Sequence, residues 1–268
     1  MNTLKNKIAL ITGASSGIGE ATASEFAKLG ADLILTARRI DKIQNLAQQL
    51  EKEYAIKVLA LQLDVQDHAN IEKVIGGLTG TWQNIDILVN NAGLALSSDF
   101  IQDATVSNWD TMIDTNIKGL LYVTHAVLPT MIKRKVGHIV NISSMAGIEH
   151  YPRGNVYSAT KHAVRAISKS LRLDLLGQNI RVSDIAPGAV NTEFSTVRWN
   201  DKQKADNFYS TFTPLTAEDM ADAITYCVTR KPHVNVETIA IYPTEQASAN
   251  HICANGVPTA GMFPTDKK

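Results

Sequence analysis

Across 268 residues, 26 lysines and arginines balance 26 aspartates and glutamates, so no net charge draws the chain to nucleic acid or to an anionic membrane. The length suffices for one large α/β domain with a buried core; no apolar stretch reaches the ~20 residues of a membrane span, and the opening seven residues lack the apolar region of a signal peptide. The two cysteines, Cys227 and Cys253, lie far apart and outside metal-ligand spacing, which points to ordinary thiols in a reducing cytoplasm and to no metal site.

Short apolar runs alternate with segments of helical period, the pattern of a parallel sheet flanked by helices. Strands are predicted at Lys7–Thr12, Ala31–Thr36, Lys57–Leu63, Ile85–Val89, Gly137–Ile142, Ile180–Ile185 and Thr238–Tyr242. Helices are predicted at Gly19–Leu29, Asp41–Glu53, Ile71–Gly80, Trp109–Lys133, Tyr157–Leu176 and Ala217–Arg230. The first five strands are nearly pure Val, Ile, Leu and Ala, as expected where both sheet faces are covered. With no linker and no repeat, residues 1–268 are read as a single domain. The stretch 189–215, polar and aromatic without a strong period, is expected to be a substrate lid or a variable surface insertion. Residues 243–268 are read as a C-terminal tail that reaches a neighbour or stays unstructured.

The first strand leads into Thr12-Gly-Ala-Ser-Ser-Gly-Ile-Gly19 and then a helix. Glycines at 13, 17 and 19 permit a tight turn, close approach of backbone to a pyrophosphate, and close packing of helix on strand. The helix N-terminus adds unpaired N–H groups and a positive dipole end. Gly13, Ser15, Ser16, Gly17, Ile18 and Gly19 are therefore the expected dinucleotide cradle. The second strand ends in Leu35-Thr-Ala-Arg-Arg39, without the carboxylate that would hold a ribose 2′-OH. Arg38 is placed to pair with a 2′-phosphate and stack on adenine, with Arg39 assisting, so the expected cofactor is NADP. Further on, in Asn155-Val-Tyr-Ser-Ala-Thr-Lys161, a lysine lies one helical turn beyond a tyrosine. An ammonium near a phenol favours the phenolate and draws a pKa of ~10 toward neutrality.

Thr12-Gly-x3-Gly-Ile-Gly19, Asn90-Asn-Ala-Gly93, Asn116, Ser144, Tyr157-x3-Lys161 and Pro187-Gly188 resemble, in order and spacing and over essentially the whole chain, the short-chain dehydrogenases/reductases. The resemblance implies a single-domain Rossmann-type, doubly wound parallel sheet of about seven strands with helices on both faces. It also implies a catalytic set of Asn116, Ser144, Tyr157 and Lys161. Tyr157 would be the general acid of reduction and general base of oxidation. Ser144 would hold the substrate oxygen, and Lys161 would also hold the nicotinamide ribose. Asn116 would anchor a water linking Lys161 to solvent. Of the adjacent serines, Ser144 takes the role by its place in the motif, leaving Ser143 as a backbone or helix-capping partner. By the same resemblance Asp64 and Val65 lie beside the adenine, and Asn91, Ala92 and Gly93 beside the adenosine ribose. Pro187, Gly188, Val190 and Thr192 would meet the nicotinamide. Asp86 is read as structural.

Asn84–Leu96, Thr111–Asn116, Thr192–Arg198 and Pro243–Ser248 look like the NADP-dependent 3-hydroxy acid dehydrogenase group. That likeness implies a small-molecule substrate such as serine or allo-threonine. The candidate for its carboxylate is Arg198, because guanidinium pairs bidentately with carboxylate; Arg153 is a second cation nearby. The competing expectations are a carbonyl reductase for uncharged ketones, diols, steroids or acyl thioesters, and an NADP(H)-binding sensor without turnover. The family habit implies a homotetramer built on the helices predicted at Trp109–Lys133 and Tyr157–Leu176.

Overall fold

The computed structural model describes residues 3–260. Seven strands, β1 (Ile8–Thr12), β2 (Asp32–Ala37), β3 (Val58–Gln62), β4 (Ile87–Asn90), β5 (Gly137–Ile142), β6 (Ile180–Pro187) and β7 (Thr238–Ile241), form one sheet in the order β3-β2-β1-β4-β5-β6-β7. Every pairing is parallel, with Ala9 opposite Leu33 on one side and Ile87 on the other. Successive side chains of a strand face opposite ways, and both faces of this sheet are covered. Ala9, Ile11, Leu33 and Leu35 join one core with Phe26 of α1 (Gly17–Lys28), Ile43 of α2 (Ile40–Tyr54) and Ile224 of α9 (Ala217–Val228). Ile8, Leu10 and Ile34 join the other with Ile71 of α3 (His68–Gly76) and Val127 of α5 (Leu120–Arg134). Phe26 is fully buried, and its truncation to alanine would cost about 3–5 kcal/mol.

Asp86, read as structural, closes the lower end of the sheet. It is 8% exposed, accepts from the Ile8 amide at 3.1 Å and pairs with Arg134 at 2.5 Å.

Three expected elements take a different form. The helix predicted at Trp109–Lys133 divides into α4 (Val106–Ile113), a π turn over Asp114–Gly119, and α5. The wider turn adds a residue to the helical register, so Asn116 sits in an irregularity of a kind that recurs at functional sites. The stretch 189–215 is largely helical, with α7 (Glu193–Trp199) and α8 (Lys202–Tyr209), each capped by the side chain that precedes it, Thr192 or Asp201. Helices this short show no convincing period, which hid them in the sequence. The tail is ordered as a three-stranded antiparallel sheet of β8 (Gln246–Ser248), β9 (His251–Ala254) and β10 (Val257–Ala260). Positions 261–268, the rest of the expected tail, lie outside the described residues.

A buried polar chain ties the scaffold beneath the site. Asn90 Nδ2 donates to Thr124 Oγ1 and to Asn141 Oδ1, each at 2.9 Å, and Asn141 Nδ2 donates to Ser168 Oγ at 2.9 Å. Buried hydrogen-bond networks of this kind fix one packing of their elements. Here they lock β4 and β5 to α5 and to α6 (Asn155–Asp174).

Candidate active site

In an open parallel sheet, ligands bind beyond the carboxyl ends of the strands where the strand order reverses. The reversal here falls between β1 and β4, and a cleft of about 410 Å³ opens there. Its lining includes Gly13, Ser15, Ser16, Gly17 and Ile18, both Arg38 and Arg39, Asp64, Val65, and Asn91, Ala92 and Gly93. Farther along come Ser143, Ser144, Tyr157, Lys161, Pro187, Gly188, Val190, Thr192 and Arg198. Two predicted residues do not line it, Gly19 and Asn116. Both act from behind.

Gly13 and Gly17 adopt left-handed φ values of 65° and 56°. A Cβ on Gly19 would lie 2.5 Å from the Gly13 carbonyl oxygen. The glycines thus serve a turn and a close packing, as the spacing predicts. Asn91 secures this turn: its Nδ2 donates to the Thr12 oxygen at 2.9 Å and to that of Gly13 at 3.2 Å. Its assignment as a ribose contact is therefore joined by a structural task the sequence did not reveal.

Arg39 is more than an assistant. Its Nε and Nη2 reach Ser15 Oγ at 3.2 and 3.0 Å, and Nη2 also reaches Ser16 Oγ at 2.8 Å. Glu193, which the sequence reading passed over, accepts from Arg39 at 2.8 Å and from Lys42 at 3.0 Å. Arg38 is exposed and lines the same end of the cleft. The groove left by the glycines and a pair of cations that already hold a carboxylate fit a phosphorylated dinucleotide.

At the other end, α6 presents Tyr157 and Lys161, both buried, with the lysine Nζ 5.9 Å from the centroid of the tyrosine ring. Lys161 donates to the Ile142 oxygen at 2.9 Å. The structure corrects the expected electrostatics. Burial pushes the Tyr157 phenol well above its ordinary value, with the neighbouring Tyr151 adding to the rise; the opposing influences are a hydrogen bond with Ser144 and the charge of Arg198. Burial also brings Lys161 down to about 8, partly opposed by Asp184. Desolvation disfavours the charged form of each group, so proximity alone does not create a phenolate–ammonium pair.

Ser144, not Ser143, is the serine whose hydroxyl acts on the Tyr157 phenol, opposing the rise that burial causes. Ser144 also does the capping expected of its neighbour, accepting from the Ala146 amide at 3.1 Å. Ser143 takes the backbone partnership, the other expectation for it, donating to the Ile185 oxygen at 3.2 Å. Asn116 clamps the loop after β4: its Oδ1 accepts from the Leu94 amide at 2.9 Å, and its Nδ2 donates to the Leu94 oxygen at 2.8 Å and Thr160 Oγ1 at 3.0 Å. These bonds give its side-chain amide a task of holding protein groups that the sequence did not reveal.

Arg198 is 6% exposed, and its guanidinium carbon lies 5.5 Å from the Tyr157 ring centroid. It donates to the Ser97 oxygen and Ser98 Oγ, each at 3.2 Å, and to the Tyr151 hydroxyl at 3.1 Å. Tyr151 and Tyr209, also in the cleft lining, carried no sequence signal of their own. Arg153 sits apart, over the Phe100 ring at 4.6 Å and in the wall of a neighbouring hollow.

A parallel doubly wound sheet with a glycine turn at its switch point and a serine–tyrosine–lysine cluster beyond it defines a dinucleotide-dependent oxidoreductase scaffold. The short chain dehydrogenase family model matches residues 7–203, and the chain belongs to that family. It is 44% identical over 254 residues to the NADP-dependent 3-hydroxy acid dehydrogenase of Schizosaccharomyces pombe, covering 94% of this chain and 98% of that one. It is 47% identical over 242 residues to sulfoacetaldehyde reductase 2 of Chromohalobacter salexigens, covering 90% and 95%. Among solved structures, the closed form of a serine dehydrogenase complexed with NADP+ superposes with a TM-score of 0.85 at 46% identity, over 90% of this chain and 97% of that one.

Proposed function

We propose that this protein is an NADP(H)-dependent oxidoreductase that interconverts a hydroxyl and a carbonyl on 3-hydroxy acids such as serine or allo-threonine. The observation that carries the reading is Arg198, a buried cation 5.5 Å from the Tyr157 ring in the wall of the cleft. A carboxylate held there by a charge-assisted pair would set the substrate hydroxyl against Ser144 and Tyr157. The names of the relatives, a hydroxy acid in one and a sulfonated aldehyde in the other, agree with an anion beside the reacting carbon.

When bound, the nicotinamide accepts or donates the hydride. The chain supplies position and protons. Ser144 orients the substrate oxygen. In reduction Tyr157, kept protonated by burial, gives its proton to that oxygen; in oxidation its phenolate takes the proton, with Ser144 and Arg198 favouring the ionised form. Lys161, which donates to the Ile142 oxygen, would hold the ribose hydroxyls. The glycine turn, Ser15, Ser16, Arg38 and Arg39 would hold the phosphates, and Asp64, Val65 and Asn91 to Gly93 the adenosine. Pro187, Gly188, Val190 and Thr192 would flank the nicotinamide, and residues 189–215 would form the lid.

NADP+ reduction across a panel of 3-hydroxy acids, diols and secondary alcohols tests the proposal. With Arg198→Ala, kcat/KM for 3-hydroxy acids falls about 10- to 100-fold, the value of a charged hydrogen bond, while neutral alcohols change less than about threefold. Equal loss on both classes, or none, sinks the assignment of Arg198. A homotetramer is the companion proposal, supported by Leu121, Leu173 and Leu176, which are 41%, 72% and 84% exposed on or just beyond α5 and α6; light scattering tests it. The two free thiols, Cys227 and Cys253, support a cytoplasmic location, which fractionation tests.

A further inference from the structure

Glu193 opens α7 directly after Thr192, yet its carboxylate belongs to the adenosine end of the cleft. Oε2 accepts from Arg39 at 2.8 Å and Oε1 from Lys42 at 3.0 Å. Arg39 turns its other N–H groups to Ser15 and Ser16, at 2.8 to 3.2 Å. Two cations and two hydroxyls before the N-terminus of α1 make the chemistry that recognises a phosphate monoester. The anion within it comes from the chain itself, 154 residues from Arg39. Arg39, first among the causes, with Lys42 holds that carboxyl down to about 2, so it is charged throughout the neutral range.

We propose that Glu193 is an intramolecular competitor for the 2′-phosphate subsite, so that its carboxylate and the phosphate of the cofactor contend for Arg39 and Lys42. The inference rests on the NADP(H) reading above and adds to it a residue that sets cofactor preference. A phosphate carrying close to two charges outcompetes a single carboxylate for the same cations. The carboxylate and both cations are about half exposed, so screening keeps the contest modest. Its consequence reaches the substrate end because α7 is short. Arg198 lies five positions beyond Glu193, about 7.5 Å along a helix. Arrival of the phosphate therefore releases one end of the helix whose other end carries Arg198.

The test uses cofactor fragments and needs no turnover. Calorimetry with 2′,5′-ADP and with 5′-AMP is run on the wild-type protein and on Glu193→Gln, which keeps the side chain's size. The variant binds 2′,5′-ADP about three- to tenfold more tightly, 5′-AMP within about twofold, and the gain shrinks at high salt. In an Arg39→Gln background the gain falls by at least half. An unchanged or weakened affinity for 2′,5′-ADP in Glu193→Gln, or a full gain without Arg39, overturns the competition. A wild-type protein with no preference for 2′,5′-ADP over 5′-AMP overturns the cofactor reading, and the competition with it.

Discussion

The two ends of the cleft are built on opposite plans. The floor of the adenosine end is a backbone turn: Gly13, Gly17 and Gly19 fall within seven residues, and the Asn91 amide straps the turn they form. The substrate end is made of side chains from distant segments. Arg198 reaches Ser97, Ser98 and Tyr151, and its guanidinium stands near Tyr157. The difference teaches where each end is vulnerable. A backbone cradle fails when a Cβ intrudes, whereas a side-chain pocket fails when one charge or hydroxyl is removed.

The largest expected effect tests the division of labour. Tyr157→Phe lowers kcat about 10²- to 10⁴-fold, the scale of a lost proton-transfer group, while the Kd for NADPH stays within about threefold; full retained activity would show that another group moves the proton. Because burial raises the Tyr157 pKa, the phenolate needed for oxidation grows with pH. Oxidation therefore speeds up as pH rises through the alkaline range, while reduction, which uses the phenol, stays level until that group ionises, in steady-state pH profiles.

At the other end, Gly19→Ala places a Cβ 2.5 Å from the Gly13 oxygen. The turn must shift, and NADPH binding weakens at least about 30-fold, a loss of roughly 2 kcal/mol that lies within the usual cost of forced overpacking. Fluorescence titration measures it, and unaltered affinity would mean the turn is softer than its packing implies.

The smallest effect belongs to the scaffold and serves as a control for both ends. His138 on β5 is 1% exposed, and burial lowers its pKa to about 3. Between that value and the ordinary one of about 6.5, the unfolded chain binds a proton that the native chain does not. Stability therefore falls on acidification through this window, by at most about 1.4 kcal/mol per pH unit from this residue. Urea denaturation across pH measures the slope, and His138→Gln reduces it.

Much of this molecule was legible in the sequence because the controlling forces are local. Strands buried on both faces must be continuous apolar runs, and all seven parallel strands were found to within about two residues, since such boundaries fray. The short helices α7 and α8 carry no signal of their own, and neither do the strands β8 to β10 in the C-terminal tail. Such segments are stabilised by capping and by packing against the rest of the fold, not by a period of their own. The π turn at Asp114–Gly119 likewise has no pattern in the residues that make it.

Within the site, spacing alone determined that Tyr157 and Lys161 share a helical face and that the glycine turn precedes a helix. Residue chemistry determined that Arg38 and Arg39, with no carboxylate at the end of the second strand, suit a phosphate. Only the tertiary structure decided which charges those groups carry and whom they meet. Burial, which depends on every element around a group, moved both Tyr157 and Lys161 toward neutrality. Folding also brought Glu193 to Arg39 across 154 residues. Local geometry is written in neighbouring residues, but desolvation and long-range charge pairing exist only once distant segments have packed together.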